Sequence, residues 1–228
     1  MERLICLAIG YAFGLIQTGY IVGRFNKIDI RKYGSNNSGT TNVLRTLGSK
    51  CAAVVLLGDA LKCILAVIVC KCIFMNSCAN IISTLMLYAA FGVILGHNFP
   101  FYMHFKGGKG IAATLGLALS YCFQFRYGWL VTVCGVVVFA LIFFTTHYVS
   151  LGSICAYIFL YIEIIFVGNR GLFGYIPGVD TKYLIEYYIV FFILTAMAII
   201  RHKANIVRLL NKNERKTYLR SKPELKEG

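Results

Sequence analysis

The stretch Gly96–Gly110, GHNFPFYMHFKGGKG, places two histidines, two lysines and a proline between two apolar runs. Its core, Phe105-Lys106-Gly107-Gly108-Lys109-Gly110, opens directly onto the apolar run that starts at Ile111. Glycines without Cβ let backbone N–H groups approach a ligand closely, and a helix N-terminus offers unpaired N–H groups with a dipole that favours anions. With Lys106 and Lys109 added, Gly107 and Gly108 read as part of an oxyanion cradle, most simply for phosphate. The pattern is not a Walker loop, because Met103 stands where its first glycine belongs and Gly110 where Ser or Thr is required. Nor is it a GxGxxG fingerprint, since Ala113 occupies the third glycine position. The plain alternative is a glycine-rich interfacial turn whose lysines follow the charge bias of cytoplasmic loops.

Three further stretches carry chemistry. Gly34–Arg45, GSNNSGTTNVLR, is a second anion-type loop: Ser35, Thr40, Thr41 and Asn42 can donate to phosphate oxygens, and Arg45 can grip them with two parallel hydrogen bonds. Helix capping is the ordinary use of such residues. Ser150 and Ser153, in HYVSLGS, either cap a helix turn or line a polar site. In Arg201–Leu210, a helix would put His202 and Asn205 on one face with Arg208 near it. His202 then reads as a general base or a substrate hydrogen-bonder, against the alternative of a basic amphipathic helix on lipid headgroups. Asp59 and Lys62 lie three apart inside an apolar run, where pairing with each other is the expected arrangement.

These groups need a scaffold, and composition says which kind. The 228 residues are 58% hydrophobic and 14% charged, too apolar for a soluble domain, so the chain reads as an all-α integral membrane protein forming a single transmembrane domain over residues 1–228. The uncharged or nearly uncharged runs are Leu4–Gly23, Cys51–Phe74, Ile81–Leu95, Ile111–Phe125, Trp129–Thr146, Leu151–Val167 and Tyr183–Ile200, about seven spans, with the third, fourth and seventh short. Five spans is the alternative, and parity is the same. Gly168–Lys182 reads as a loop, and the first run as a retained span rather than a cleaved leader. The net charge of +14 is distributed between the spans, which points to membrane orientation and anionic substrates rather than nucleic acid. With seven spans, 17 of the 23 Lys and Arg fall on one side, in 24–50, 96–110 and the tail 201–228. That side is expected to be cytoplasmic, with the N-terminus outside, the C-terminus inside, and the motif loops 24–50, 96–110 and 147–153 sharing the inner face of a cell membrane protein. The nine cysteines lie mostly in the apolar runs without CxxC spacing, and neither disulfide nor metal is assigned to them.

Together these motifs resemble the bacterial acyl-phosphate:glycerol-3-phosphate acyltransferases, the PlsY family. The family's first motif is similar to GSGNPGATNVLR, matched by Gly34, Ser35, Asn37, Gly39, Thr41, Asn42 and Arg45. Its second, GHxFP followed by FKGGKG, is matched at Gly96, His97, Phe99, Pro100 and 105–110. Its third, HxxNIxRLL with a following glutamate, is matched by His202, Asn205, Ile206, Arg208, Leu209, Leu210 and Glu214. Asn36 and Ser38 replace a glycine and a proline, and Lys212-Asn213 stands where Gly-Thr is usual. The resemblance implies transfer of a fatty acyl group from acyl phosphate to the 1-hydroxyl of glycerol 3-phosphate, without cofactor. The resulting expectations are that His202, Lys109, Arg45 and Ser35 are catalytic, while Thr41, Asn42, Lys106, Gly107, Gly108, Ser150 and Asn205 bind substrate. A phosphate oxygen of the donor is a second candidate for the base. No histidine has an aspartate five residues on, so the HxxxxD box of thioester-using acyltransferases is missing. A transporter of phosphorylated metabolites and an anion-binding scaffold are the alternatives from other classes.

Overall fold

The computed structural model describes residues 1–169 and 181–219, and every regular element among them is helical. In chain order the helices are α1 Glu2–Gly14, α2 Thr18–Phe25, α3 Thr40–Leu47, α4 Ser49–Phe74, α5 Ile82–Asn98, α6 Ile111–Gln124, α7 Gly128–Thr146, α8 Val149–Asn169, α9 Thr181–Arg201 and α10 Lys203–Leu210. Among the described residues, six stretches are long and apolar enough to cross a membrane: 2–25, 49–74, 79–103, 128–146, 149–169 and 182–201. The expected fourth span is α6, an apolar helix of 14 residues, which at 1.5 Å per residue reaches about 21 Å against about 30 Å of hydrocarbon. It is enclosed by α4, α5 and α7 instead of facing lipid along its whole length. The expected seventh span proves to be 21 residues long, not short. Most of the expected loop 168–182 lies outside the described residues.

Three packing features position the site. First, the run read as one continuous span from Leu4 to Gly23 breaks at 15–17 into α1 and α2. The break survives in an apolar setting because its polar groups find partners. Lys62 Nζ donates to Ile16 O at 2.6 Å, and Gln17 Nε2 reaches His97 O at 3.0 Å. Second, α1 and α5 meet backbone to backbone through Gly10-x-x-x-Gly14 and Gly92-x-x-x-Gly96. A Cβ on Gly10 would fall 1.9 Å from Ala89 O, and one on Gly92 2.2 Å from Leu7 O. Small residues four apart on both faces give the close approach that drives helix association where no hydrophobic effect operates. Third, α5 is the central helix: Leu85, Val93 and Ile94 pack with Leu117 and Tyr121 of α6 and with Phe191 and Leu194 of α9. Leu57, Leu141, Ile162 and Ile185 remain exposed around the outside, as lipid-facing side chains are.

Candidate active site

Beneath the motif loops, the apolar stretch of α4 carries a closed polar network. Asp59, Lys62 and His97 are 1%, 3% and 3% exposed. Lys62 Nζ lies 2.7 Å from Asp59 Oδ1 and 2.9 Å from His97 Nδ1, and its third proton goes to Ile16 O. Thr18 Oγ1 adds a hydrogen bond to Asp59 Oδ1 at 3.0 Å. An ammonium can only donate, so Nδ1 of His97 accepts and the ring proton sits on Nε2. The expected Asp59–Lys62 pair therefore exists, with His97 as a member that sequence proximity does not reveal.

This network sets the glycine–lysine loop. The N–H groups of Gly107 and Gly108 donate to Asn98 O and His97 O at 3.2 and 3.0 Å, closing the C-terminus of α5. Their carbonyls accept from Arg201 Nη2 at 3.0 and 2.8 Å. A Cβ on Gly108 would fall 2.1 Å from His97 Nε2, and one on Gly107 2.0 Å from His97 O. Both glycines are buried in this packing and neither lines the cavity, while Lys106 is exposed and stands apart from it. Lys109 and Gly110 are the loop residues that reach the cavity, followed by Ile111 and Ala112 of α6.

The cavity, of about 540 Å³, gathers the remaining expected residues: Ser35, Thr41, Asn42, Arg45, Lys109, Ser150, His202 and Asn205. Its polar end is a linked cluster. Lys109 Nζ donates to Asn205 Oδ1. Asn205 Nδ2 and Ser150 Oγ donate to Glu214 Oε1 at 2.7 and 2.9 Å, and Arg208 Nε donates to Oε2 at 2.7 Å. Burial pushes the Glu214 carboxyl up, but these three hydrogen bonds outweigh it and hold the group below the usual carboxylate range. Burial pushes the Lys109 ammonium down to about 8, with Glu214 opposing and Arg208, Arg201 and Arg45 adding to the shift. Burial likewise lowers Arg45. His202 is pushed to about 4 by burial and then by Lys109. Its Nδ1 lies 2.8 Å from Ala198 O, an acceptor, so Nδ1 carries the proton and Nε2 is left with its lone pair.

Two helix N-termini open at this end. Gly39 and Gly110 are the N-caps of α3 and α6, neither with a side-chain cap, and the cavity is lined by Gly39, Thr40 and Thr41 at one and by Gly110, Ile111 and Ala112 at the other. First-turn N–H groups have no intrahelical acceptor and attract anions. Buried donors without partners, Thr40 Oγ1, Arg45 Nε and Arg201 Nε, belong to residues on the same wall. Asn42 serves differently: its Oδ1 accepts from Ser35 N at 2.8 Å and its Nδ2 donates to Ile30 O and Tyr33 O, so it shapes the loop that presents Ser35. Apolar side chains line the same cavity, among them Leu56, Phe139 and Phe143. Sequence reasoning did not place Arg201 or the segment around Arg215 here, whereas Thr40, read as a phosphate donor, does line the cavity. Arg201 had a signal in its position next to His202; the segment after Glu214 had none.

A cavity lined by cations and helix N-termini together with aromatic and aliphatic side chains suits an anionic head on an acyl chain. The comparisons with known proteins agree. The family model for glycerol-3-phosphate acyltransferase matches residues 4–212. A Clostridioides difficile protein named glycerol-3-phosphate acyltransferase is 40% identical over 220 residues, covering 93% of this chain and 94% of its own. One of the same name from Alkaliphilus metalliredigens is 37% identical over 217 residues, covering 95% and 96%. The crystal structure of PlsY, an integral membrane glycerol 3-phosphate acyltransferase, in its glycerol 3-phosphate form, is similar with a TM-score of 0.74 at 28% identity, covering 96% of both chains. Its lysophosphatidic acid form gives 0.73 at 27% identity. With all three motifs inside the matched residues or within two positions of their end, the chain belongs to the glycerol-3-phosphate acyltransferase family.

Proposed function

We propose that this membrane protein transfers a fatty acyl group from acyl phosphate to the 1-hydroxyl of glycerol 3-phosphate, giving lysophosphatidic acid and inorganic phosphate. The observation that carries this is one cavity lined both by two helix N-termini with the cations of Lys109, Arg45 and Arg201 and by apolar side chains such as Leu56, Phe139 and Phe143. Two phosphorylated substrates must sit close together, and only several fixed donors offset their repulsion. The glycerol oxygen bonds to the acyl carbon, the bond from that carbon to the phosphate oxygen breaks, and one proton leaves the hydroxyl. His202, lowered to about 4 by burial and then by Lys109, is a weak base, and a phosphate oxygen of the donor is the other candidate. Nε2 of His202 therefore orients the hydroxyl together with Ser150 and Asn205, and the donor's phosphate takes the proton. Lys109 holds the charge that grows on the leaving phosphate, and Arg45 grips the phosphate of glycerol 3-phosphate.

Membership of a family whose relatives are named acyltransferases favours this over a carrier of phosphorylated metabolites. The test is the purified protein with acyl phosphate and glycerol 3-phosphate, which should release one phosphate per lysophosphatidic acid and show little turnover with acyl-CoA. Efficient transfer from acyl-CoA would sink the assignment. For orientation, α6 is taken as a seventh, short crossing, so that the N-terminus is outside and the site and C-terminus face the cytoplasm of a single transmembrane domain. The bias of Lys and Arg to the motif loops and tail supports this. Cysteines at Asn37, His104 and Asn213, in a background lacking the native nine, should label only from the cytoplasmic side.

A further inference from the structure

Among the described residues after α10 there is no further helix, yet residues 211–219 are tied to the cavity by several contacts. Glu214 is gripped by Ser150, Asn205 and Arg208. Past it, Arg45 Nη2 donates to Arg215 O at 2.9 Å and to Thr217 Oγ1 at 2.5 Å. Thr217 is 2% exposed, and its N–H donates to His147 O at 2.9 Å. The Tyr218 ring lies 4.7 Å from the His147 ring, and Lys216 Nζ lies 5.9 Å from the centre of the Tyr148 ring. Arg215 and Leu219 line the cavity with the site residues. The family match ends at residue 212, so Thr217 lies outside it.

The latch falls on the guanidinium that the transfer reaction needs. Two oxygens, a carbonyl and a hydroxyl, take the Arg45 donor that a phosphate would use, while Arg45 Nε stays buried and without a partner. A guanidinium held by neutral oxygens exchanges them for a phosphate, because those bonds carry charge on the donor alone whereas a phosphate adds the opposite charge and a planar, two-bond fit. A lipid-borne donor can approach between the helices, whereas a small polar acceptor comes from water, and the strap contributes Arg215 and Leu219 to the lining of the cavity it must enter.

We propose that residues 211–219 form a strap that gates glycerol 3-phosphate, its Thr217 latch competing with the acceptor's phosphate for Arg45. Until the acceptor arrives, the latched strap also keeps water from the acyl phosphate, in which attack would join water oxygen to the acyl carbon, release phosphate and give a proton to solvent. The inference rests on the acyl-transfer reading, and two experiments separate them. In Thr217→Val the KM for glycerol 3-phosphate should fall about threefold or more, and acyl phosphate hydrolysis without acceptor should rise about tenfold. Thr217→Ser, which keeps the hydroxyl, should behave as the parent. The second experiment needs no turnover. Cysteines at His147 and Tyr218, in a background lacking the native nine, are bridged with a short bis-maleimide. The bridging yield should fall when glycerol 3-phosphate is present and, to a lesser degree, with inorganic phosphate. An unchanged KM in Thr217→Val, or a bridging yield indifferent to glycerol 3-phosphate, overturns the gate. Absence of transfer by the parent protein would instead count against the acyl-transfer reading, and the bridging yield would still report on the strap.

Discussion

The loops 34–45 and 96–110 both read as glycine-containing anion loops that open onto a helix, and they use their glycines in opposite ways. In the first, the polar side chains and the open end of α3 face the cavity, and Gly34 is needed for a turn at φ +62°. In the second, Gly107 and Gly108 turn their N–H groups into the end of α5 and their missing side chains toward His97. The lining of the cavity comes from one step further along the chain, from Lys109 and the N-terminus of α6. A glycine-rich loop before a helix is thus ambiguous between a ligand surface and a tight helix-to-helix joint. What decides it is where the N–H groups already have acceptors.

The largest effect that can break this contrast belongs to Gly108→Ala. If Gly108 only offered its N–H to phosphate, the change would raise a KM and leave the fold intact. With His97 Nε2 in the way, it should destabilise the protein by about 3 kcal/mol or more, the upper end of overpacking, with activity lost in parallel. A melting midpoint in detergent close to the parent's would restore the cradle reading. Lys109→Ala comes next: turnover should fall by about 10²–10³-fold, the scale of losing one preorganised charge donor, with the melting midpoint unmoved.

Lys109 also sets a pH limb. Its ammonium, lowered to about 8, is protonated below that value, so kcat/KM should decline as pH rises through about 8. His202, held near 4, stays neutral over the same range and adds no limb there. Lys109→Arg should move the decline to higher pH, and a limb unmoved in that variant would assign it to another group. In the first loop, Arg45→Lys replaces a fork by a point charge and should cost about tenfold in kcat/KM with normal membrane insertion. Lys106→Ala, on an exposed side chain outside the cavity, should stay within about twofold, and a larger loss would bring the glycine–lysine loop back into contact with substrate.

Much of this was legible from residue types. Ser35, Arg45, Lys109, Ser150, His202 and Asn205 stood out because polar donors and cations between apolar runs have few uses other than a site, and they do share one cavity. The long helices followed from hydropathy to within a few residues. The break at 15–17 was not legible, since nothing charged or proline-like marks it, and its partner Lys62 comes from 46 residues away. The part of His97 in the Lys62 network was hidden for the same reason. The role of Gly107 and Gly108 was misleading at the level of composition, because glycine reports that space is short without saying what fills it. The facing Gly-x-x-x-Gly pairs of α1 and α5 were present in the sequence as a pattern, but their pairing needs the fold.

The Lys62 contact with Ile16 has a consequence for how the protein is made. As the first hydrophobic stretch leaves the ribosome, the carbonyl at its break has no acceptor-matching group of its own within hydrocarbon, an expensive condition. The ammonium that answers it is synthesised later, on α4, and must itself enter the bilayer beside Asp59. Neither stretch is a finished insertion unit alone, so the first has to wait at the translocon, or at the water interface, until the second arrives. Biogenesis of this enzyme is therefore pairwise at its outset, and a reporter fused after Phe25 should insert less completely than one fused after Phe74.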